Sequence, residues 1–529
     1  MKPSLVTLIF VPIFLSACTG GQYRSGDRGF SELPQAEATR IIEVNDGETI
    51  TLNPGFVRNS IDGKEFAMYA YNGQIPGPLL KVEQGSTFTV NVKNNIDVPT
   101  TIHWHGLRLE NKFDGTAGVT QEAIEPGQSF IYTVKVPDEG MFWYHPHVRE
   151  DLQQDMGLYG NLWVVPKDSN LYNPVNREEV VMLDDILLND GLPVPYGEKE
   201  ADHALMGRFG NTMFTGGKTE YNLSVSRGSV VRFSLTNTAN TRTFNVRFGD
   251  AKMKLVAGDA GRHEQEQFID SILLSPSERA VVEVLFDEAG TYTMEQVTPK
   301  QTATLGTVAV STSAASPSYA ETFSTLRQSS NVVADIDTYR PFFDKPVDKT
   351  IHLSVESMMA QMMQQGSGTQ HGGGHGGSTT QEESNEGIEW EDPMPQQNAM
   401  STKHNTKWKF IDETSAAENM DIAYNFKVGD TVKIRLVNDP TSPSGLRGAS
   451  KGSNHPMQHP IHFHGQRFLV LTVDGESNKN LVWKDTVLVE KGQSVDILLD
   501  ASNPGDWMFH CHIAEHLTNG MMGMLRVKE

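Results

Sequence analysis

Short runs in which apolar or β-branched residues alternate with polar ones recur along the chain, and each is entered through a turn. Val82-Glu83-Gln84-Gly85-Ser86-Thr87-Phe88-Thr89-Val90 is one. Val225-Ser226-Arg227-Gly228-Ser229-Val230-Val231-Arg232-Phe233 and Phe426-Lys427-Val428-Gly429-Asp430-Thr431-Val432-Lys433-Ile434 repeat its shape. Period-two alternation after a glycine predicts β-strands rather than helices. A second set begins at Pro126-Gly127-Gln128, Pro276-Ser277-Glu278 and Lys491-Gly492-Gln493 and runs into strands such as Phe130–Val134 and Val495–Leu499. In every copy 13 residues separate the middle turn residue from a later glycine: Gly127 from Gly140, Ser277 from Gly290, Gly492 from Gly505. Three copies of one unit predict an all-β chain of three tandem antiparallel β-sandwiches, near residues 41–167, 168–325 and 335–529.

The copies are unevenly spaced. Gly85 to Gly228 spans 143 residues and Gly228 to Gly429 spans 201, so the third copy carries about 58 extra residues. Residues 357–405 are rich in Met, Gln, Gly and His, lack strand periodicity and read as a long flexible insertion. At the other end, Lys2 precedes an apolar run of 11 residues from Leu5 to Leu15, too short to span a bilayer as a helix. Leu15-Ser16-Ala17-Cys18 follows. This predicts a signal peptide over residues 1–17. The four residues also resemble a bacterial lipobox, which makes Cys18 the lipidated first residue and residues 18–40 a polar tether. Thr19 and Gly20 after it resemble outer-membrane sorting. The implied location is the periplasmic side of a Gram-negative envelope, with outer-membrane lipid as a partner.

Composition sharpens the chemistry. The chain has 529 residues, a net charge of −22, and only two cysteines, Cys18 and Cys511, against 17 His and 21 Met. The charge argues against nucleic acid and leaves cations as partners.

The histidines fall at repeat-equivalent positions. Five and seven residues past Gly140 stand His145 and His147; the same offsets from Gly505 give His510 and His512; from Gly290 they give Glu295 and Val297. Upstream, the first copy has His103-Trp104-His105-Gly106. The third has His459-Pro460-Ile461-His462-Phe463-His464-Gly465, and Thr241–Phe248 of the second has no His. Residues i and i+2 of a strand share a face, so each His-x-His pair aims two imidazoles the same way. Four such pairs predict a metal cluster between the first and third units. The third unit adds Cys511, His516 at +5, Met521 at +10 and His459 upstream. Two imidazoles, a thiolate and a thioether make a blue-copper electron-transfer site. Pro146 stands where the first unit would need the cysteine. Electrons would be taken singly at Cys511, pass to His510 and His512 along the chain, and reduce O2 to water at the cluster.

These four motifs resemble the copper signatures of multicopper oxidases, over nearly all of residues 41–529. The resemblance implies three cupredoxin-like Greek-key sandwiches and four copper ions. It implies that His459, Cys511, His516 and Met521 hold the type 1 copper, and His103 and His462 the type 2 copper. His105, His145, His147, His464, His510 and His512 would hold the type 3 pair. Asp114 matches a carboxylate that serves proton relay near the cluster. Where several bacterial members carry a Glu after the second type 1 His, this chain has Leu517. Glu515 is nearby without an assigned role.

The reductant is read from the insertion. Met358, Met359, Met362 and Met363, with His371 and His375, offer soft thioether and imidazole ligands. The segment resembles that of bacterial cuprous oxidases of copper tolerance. Met457 matches a substrate-copper Met of that group, whereas His455 stands where the group has an Asp. Cu(I) is therefore the expected reductant. A small aromatic reductant, as in laccase-like phenol oxidases, is the alternative, and a copper-free structural homologue is a remote one.

Overall fold

A computed structural model describes residues 30–61, 63–357, 387–438 and 457–529. Three double-sheet units follow one another. In the first, strands Ile41–Val44, Leu79–Glu83, Gly160–Val165, Gly140–His145 and His103–His105 form one sheet in that spatial order. Thr49–Thr51, Thr87–Lys93 and Ser129–Lys135 form a second, beside the hairpin Pro54–Ile61/Lys64–Tyr71. Leu80, Leu162 and Tyr144 of the first sheet share one core with Phe88, Val90 and Val134 of the second. The second and third units each pair a six-stranded with a five-stranded sheet. Their cores centre on Phe233, Phe248 and Val282, and on Ile434, Phe463 and Phe509.

The repeat is visible strand by strand. Leu79–Glu83, Tyr221–Arg227 and Ala423–Lys427 hold the same place, each followed in the sheet by Gly160–Val165, Thr302–Ala314 and Met522–Lys528. Next come Gly140–His145, Gly290–Val297 and Gly505–Cys511, then His103–His105, Phe244–Phe248 and His459–Phe463. The turns repeat too: Gly127, Ser277 and Gly492 all have positive φ, at 81°, 77° and 83°. Ser277 adopts this conformation despite its Cβ, at a cost of about 1–2 kcal/mol.

Two expectations need correcting. The sheets are not wholly antiparallel: Leu79–Glu83 runs parallel to Gly160–Val165, and the equivalent strands of the other units do the same. In each unit the two strands are separated in sequence by several intervening strands, the long connection that a parallel pair requires. The insertion 357–405 is also not uniformly a flexible excursion. Ser357 ends the strand Lys349–Ser357, and Pro395–Ala399 is a short helix. Asn398 Oδ1 accepts from the Met206 N–H at 2.9 Å, and Ser401 Oγ from the Leu205 N–H at 2.8 Å. Both side chains are fully buried, so this part is a fixed plug between the second and third units. Met358, Met359, Met362, Met363, His371, His375 and His455 lie outside the described residues, as do Cys18 and the whole signal segment. No helix among the described residues is long and apolar enough to cross a membrane.

Candidate metal centre

Strand register places the histidines. His103 lies opposite His145, and His462 opposite His510. The two-residue period then turns the paired imidazoles to one side, with His147, His464 and His512 just past the ends of their strands. The eight rings of the four His-x-His motifs converge in one buried cluster between the first and third units. His105 stacks on His462 with ring centroids 3.7 Å apart, and His103 on His464 at 4.0 Å. Three sets bring candidate ligand atoms within 4.8 Å of one another: His103/His105/His462, His105/His145/His512 and His147/His464/His510.

Most of these imidazoles are anchored through one nitrogen. His103 Nδ1 meets the Asp114 carbonyl at 2.8 Å, His145 Nδ1 the Pro146 carbonyl at 2.8 Å, and His462 Nδ1 the Asp485 carbonyl at 2.9 Å. His147 Nδ1 meets Glu150 at 2.9 Å, and His510 Nδ1 the Cys511 carbonyl at 2.9 Å. His105 is reversed: its Nε2 meets Asp485 Oδ1 at 3.0 Å. The opposite nitrogens face inward. His103 Nε2, His105 Nδ1, and the Nε2 atoms of His145, His147, His462 and His512 are buried with no hydrogen-bond partner. His464 Nε2 and His510 Nε2 instead face each other at 2.9 Å. Converging, unpartnered lone pairs held from behind are what a metal cluster requires, so the residues fit copper. Burial, reinforced by the neighbouring rings, holds His145, His510 and His512 neutral, well below the usual imidazole range. Burial also opposes the charge on His147, but Glu150 outweighs it and raises this ring.

On the far side of the strand Gly505–Cys511 lies a second site. Cys511 Sγ is 3.4 Å from His459 Nδ1 and 3.7 Å from His516 Nδ1. The Met521 peptide accepts from Cys511 N at 3.1 Å and donates to the His516 carbonyl at 3.0 Å, which brings Met521 beside both. Burial pushes the Cys511 thiol well up, so a thiolate here needs a bound cation. Burial lowers His459 to about 3. Trp408 lies against both imidazoles, 4.7 Å from His459 and 4.3 Å from His516, and its Nε1 donates to the Ala204 carbonyl at 2.8 Å. His459 and His516 are each 0% exposed. Met457 is buried in the same core as Cys511 and Met521.

Asp114 stands against the cluster. Its Oδ2 accepts from Thr116 Oγ1 at 2.6 Å and lies 2.9 Å from His464 Nδ1; its Oδ1 is 3.4 Å from His103 Nδ1 and has no hydrogen-bond partner. Burial raises its carboxyl, but His464 and His103 hold it well below the usual range. Leu517 is buried against Met508 and Met524.

Three supporting residues escaped sequence reasoning, and a fourth, Glu515, has no assigned role there. Asp485 anchors His105, Glu150 anchors His147, and Trp408 covers the cysteine site. Glu515 is buried and accepts from Asn240 and Thr241 at 3.2 and 3.3 Å; burial, then Asp151, pushes it up to about 8. The one available signal was Lys484-Asp485 inside the apolar stretch Leu481–Val489, where charges are rarely placed without partners.

The multicopper oxidase family matches this chain through three models, over residues 57–169, 174–316 and 388–529. The chain belongs to the multicopper oxidase family. Multicopper oxidase MmcO of Mycobacterium tuberculosis is 27% identical over 96% of this chain and 92% of its own length. A copper resistance protein A homolog of Pseudomonas syringae is 25% identical over 91% and 93%. A multicopper oxidase of Campylobacter jejuni of solved structure, described as a metallo-oxidase, shares the fold. Its TM-score is 0.68 at 22% identity, over 94% of this chain and 97% of that one. Multicopper oxidases bind four copper ions, and this one is an oxidoreductase with O2 as acceptor.

Proposed function

We propose that this multicopper oxidase oxidises Cu(I) on the periplasmic side of the cell envelope, in copper tolerance. In this reading His459, Cys511, His516 and Met521 hold the type 1 copper, and His103 and His462 the type 2 copper. His105, His145, His147, His464, His510 and His512 hold the type 3 pair. Copper bound at these sites supplies one-electron acceptance at Cys511 and four-electron reduction of O2 to water at the histidine cluster. The residues do the rest. Cys511 is bonded through its peptides to His510 and His512, so one covalent path joins the two sites. Asp114 Oδ1, unpartnered and 3.4 Å from His103 Nδ1, takes up protons bound for the reduced oxygen, with Thr116 and His464 fixing the other oxygen.

The observation that carries the choice of reductant is the burial of His459 and His516 beneath Trp408. A phenol finds no exposed imidazole edge to contact, whereas a copper ion held by thioethers needs only to come within electron-transfer range. Buried Met457 and the thioethers of Met358, Met359, Met362 and Met363 are the soft ligands for it. Relatives named for copper resistance point the same way.

Replacing these last four Met together by Leu keeps the apolar character and removes the sulfurs. Cu(I) oxidation should weaken about 10-fold or more in kcat/KM, while oxidation of a phenol stays the same or rises. Unchanged Cu(I) kinetics would overturn this choice of substrate. Location is tested separately: the mature protein should begin at a lipid-bearing Cys18, and mass spectrometry that finds an unmodified terminus would contradict the anchor.

A further inference from the structure

Among the described residues the middle unit contributes no set of metal-ligating side chains, yet one of its residues reaches the supports of the histidine cluster. Arg279 opens the strand Arg279–Phe286 and is 1% exposed. All five of its N–H bonds are used. Nε donates to the Met141 carbonyl at 2.8 Å. Nη1 donates to the Ser277 carbonyl at 3.1 Å and to Asp485 Oδ1 at 2.7 Å. Nη2 donates to the Asp259 carbonyl at 3.0 Å and to Asp485 Oδ2 at 2.5 Å. The acceptors come from all three units, and Met141 lies in the strand that carries His145.

Asp485 passes this fixation on. Its Oδ1 lies 3.0 Å from His105 Nε2 and accepts from Thr486 Oγ1 at 3.0 Å. That hydroxyl is itself 3.1 Å from His105 Nε2 and 3.2 Å from His462 Nδ1. A carboxylate at Nε2 selects the tautomer with the proton there and leaves the lone pair on Nδ1. His105 Nδ1 is the buried nitrogen that faces the cluster without a partner. Gly106 closes over the pair: a Cβ there would lie 2.3 Å from Asp485 Oδ2 and 2.9 Å from Arg279 Nη2.

We infer that Arg279 is a positioning residue for the copper cluster: by locking the Asp485 carboxylate it sets the tautomer and orientation of His105. The inference rests on the reading of His105 as a cluster ligand. The middle unit is then a clamp on the site as well as a spacer between the units that carry it.

Copper content and the separate spectroscopic signatures of the cluster and the blue site, read on the full chain, test this. Asp485→Asn keeps the shape but can turn an amide N–H toward His105 Nε2, which reverses the tautomer. Arg279→Gln removes most of the donors. Both should lower cluster affinity for copper about 10–100-fold, the usual effect of losing the partner behind a ligand, while blue absorption from the Cys511 site is retained per chain. Asp485→Asn decides the matter if Arg279→Gln folds poorly. Parental cluster copper in Asp485→Asn would overturn the inference, as would equal loss of blue and cluster signals in both variants. A parent chain that takes up no cluster copper would overturn the clamp together with the ligand assignment.

Discussion

At the scale of single residues, the site depends on what stands behind each ligand. Gly106 follows His105 with φ +83°, and an added Cβ would run into Asp485. Gly106→Ala should therefore disrupt the cluster and cost about 3 kcal/mol or more, the usual cost of breaking a buried ion pair. Chemical denaturation and copper analysis would show both effects. Asp114 makes a different prediction. Asp114→Asn removes the proton-accepting oxygen near His103 and His464. It should slow O2 reduction about 100-fold, while anaerobic bleaching of the blue site by reductant keeps its rate. An unchanged turnover number would remove Asp114 from proton transfer. The converging histidine pairs were legible in the sequence because they repeat at fixed offsets from glycines. Their supports were not. Asp485 and Arg279 are 206 residues apart, and no local pattern announces that a charge in the middle unit faces one in the third.

At the scale of elements, the strand register is the decisive feature. His462 lies opposite His510, and Ile461 opposite Cys511. Alternation then sends His510 toward the cluster and Cys511 to the other face of its strand. A slip of one residue would exchange the two sites. Cys511→Ser should therefore abolish the blue absorption and electron uptake yet leave His510 and His512 in place, with copper still bound at the cluster. Retained blue colour would contradict the assignment of Cys511. These strands were predictable from period-two alternation, and the equivalence of the three units from their turns. The plug formed by residues 387–401 was not. It has no periodicity, and its order comes from Asn398 and Ser401 binding the backbone of residues 204–207, a contact across nearly 200 positions. The parallel strand pairs were missed for a related reason, since alternation gives a strand but not the direction of its neighbour.

At the scale of the whole molecule, ligands from the first and third units meet in one buried cluster, and the middle unit closes around them. Copper should consequently hold the units together. Removing it leaves a set of buried nitrogens facing one another without partners, and a tightly bound ion stabilises by about 4 kcal/mol at a thousandfold excess over its dissociation constant. The metal-free protein should unfold at a lower temperature than the loaded one, and calorimetry before and after chelation would show the difference. Equal transitions would mean that the cluster is not a metal site. The net charge of −22 favours a cationic substrate only weakly; the burial of His459 and His516 and the thioethers argue for Cu(I) more strongly.

The measurement that bears most directly on this account is O2 uptake by purified, copper-loaded protein supplied with Cu(I). About four Cu(I) should be consumed for each O2, with water as the product, as four-electron reduction requires. Cu(I) that leaves O2 uptake at its background rate, or a ratio near two with peroxide released, would contradict it.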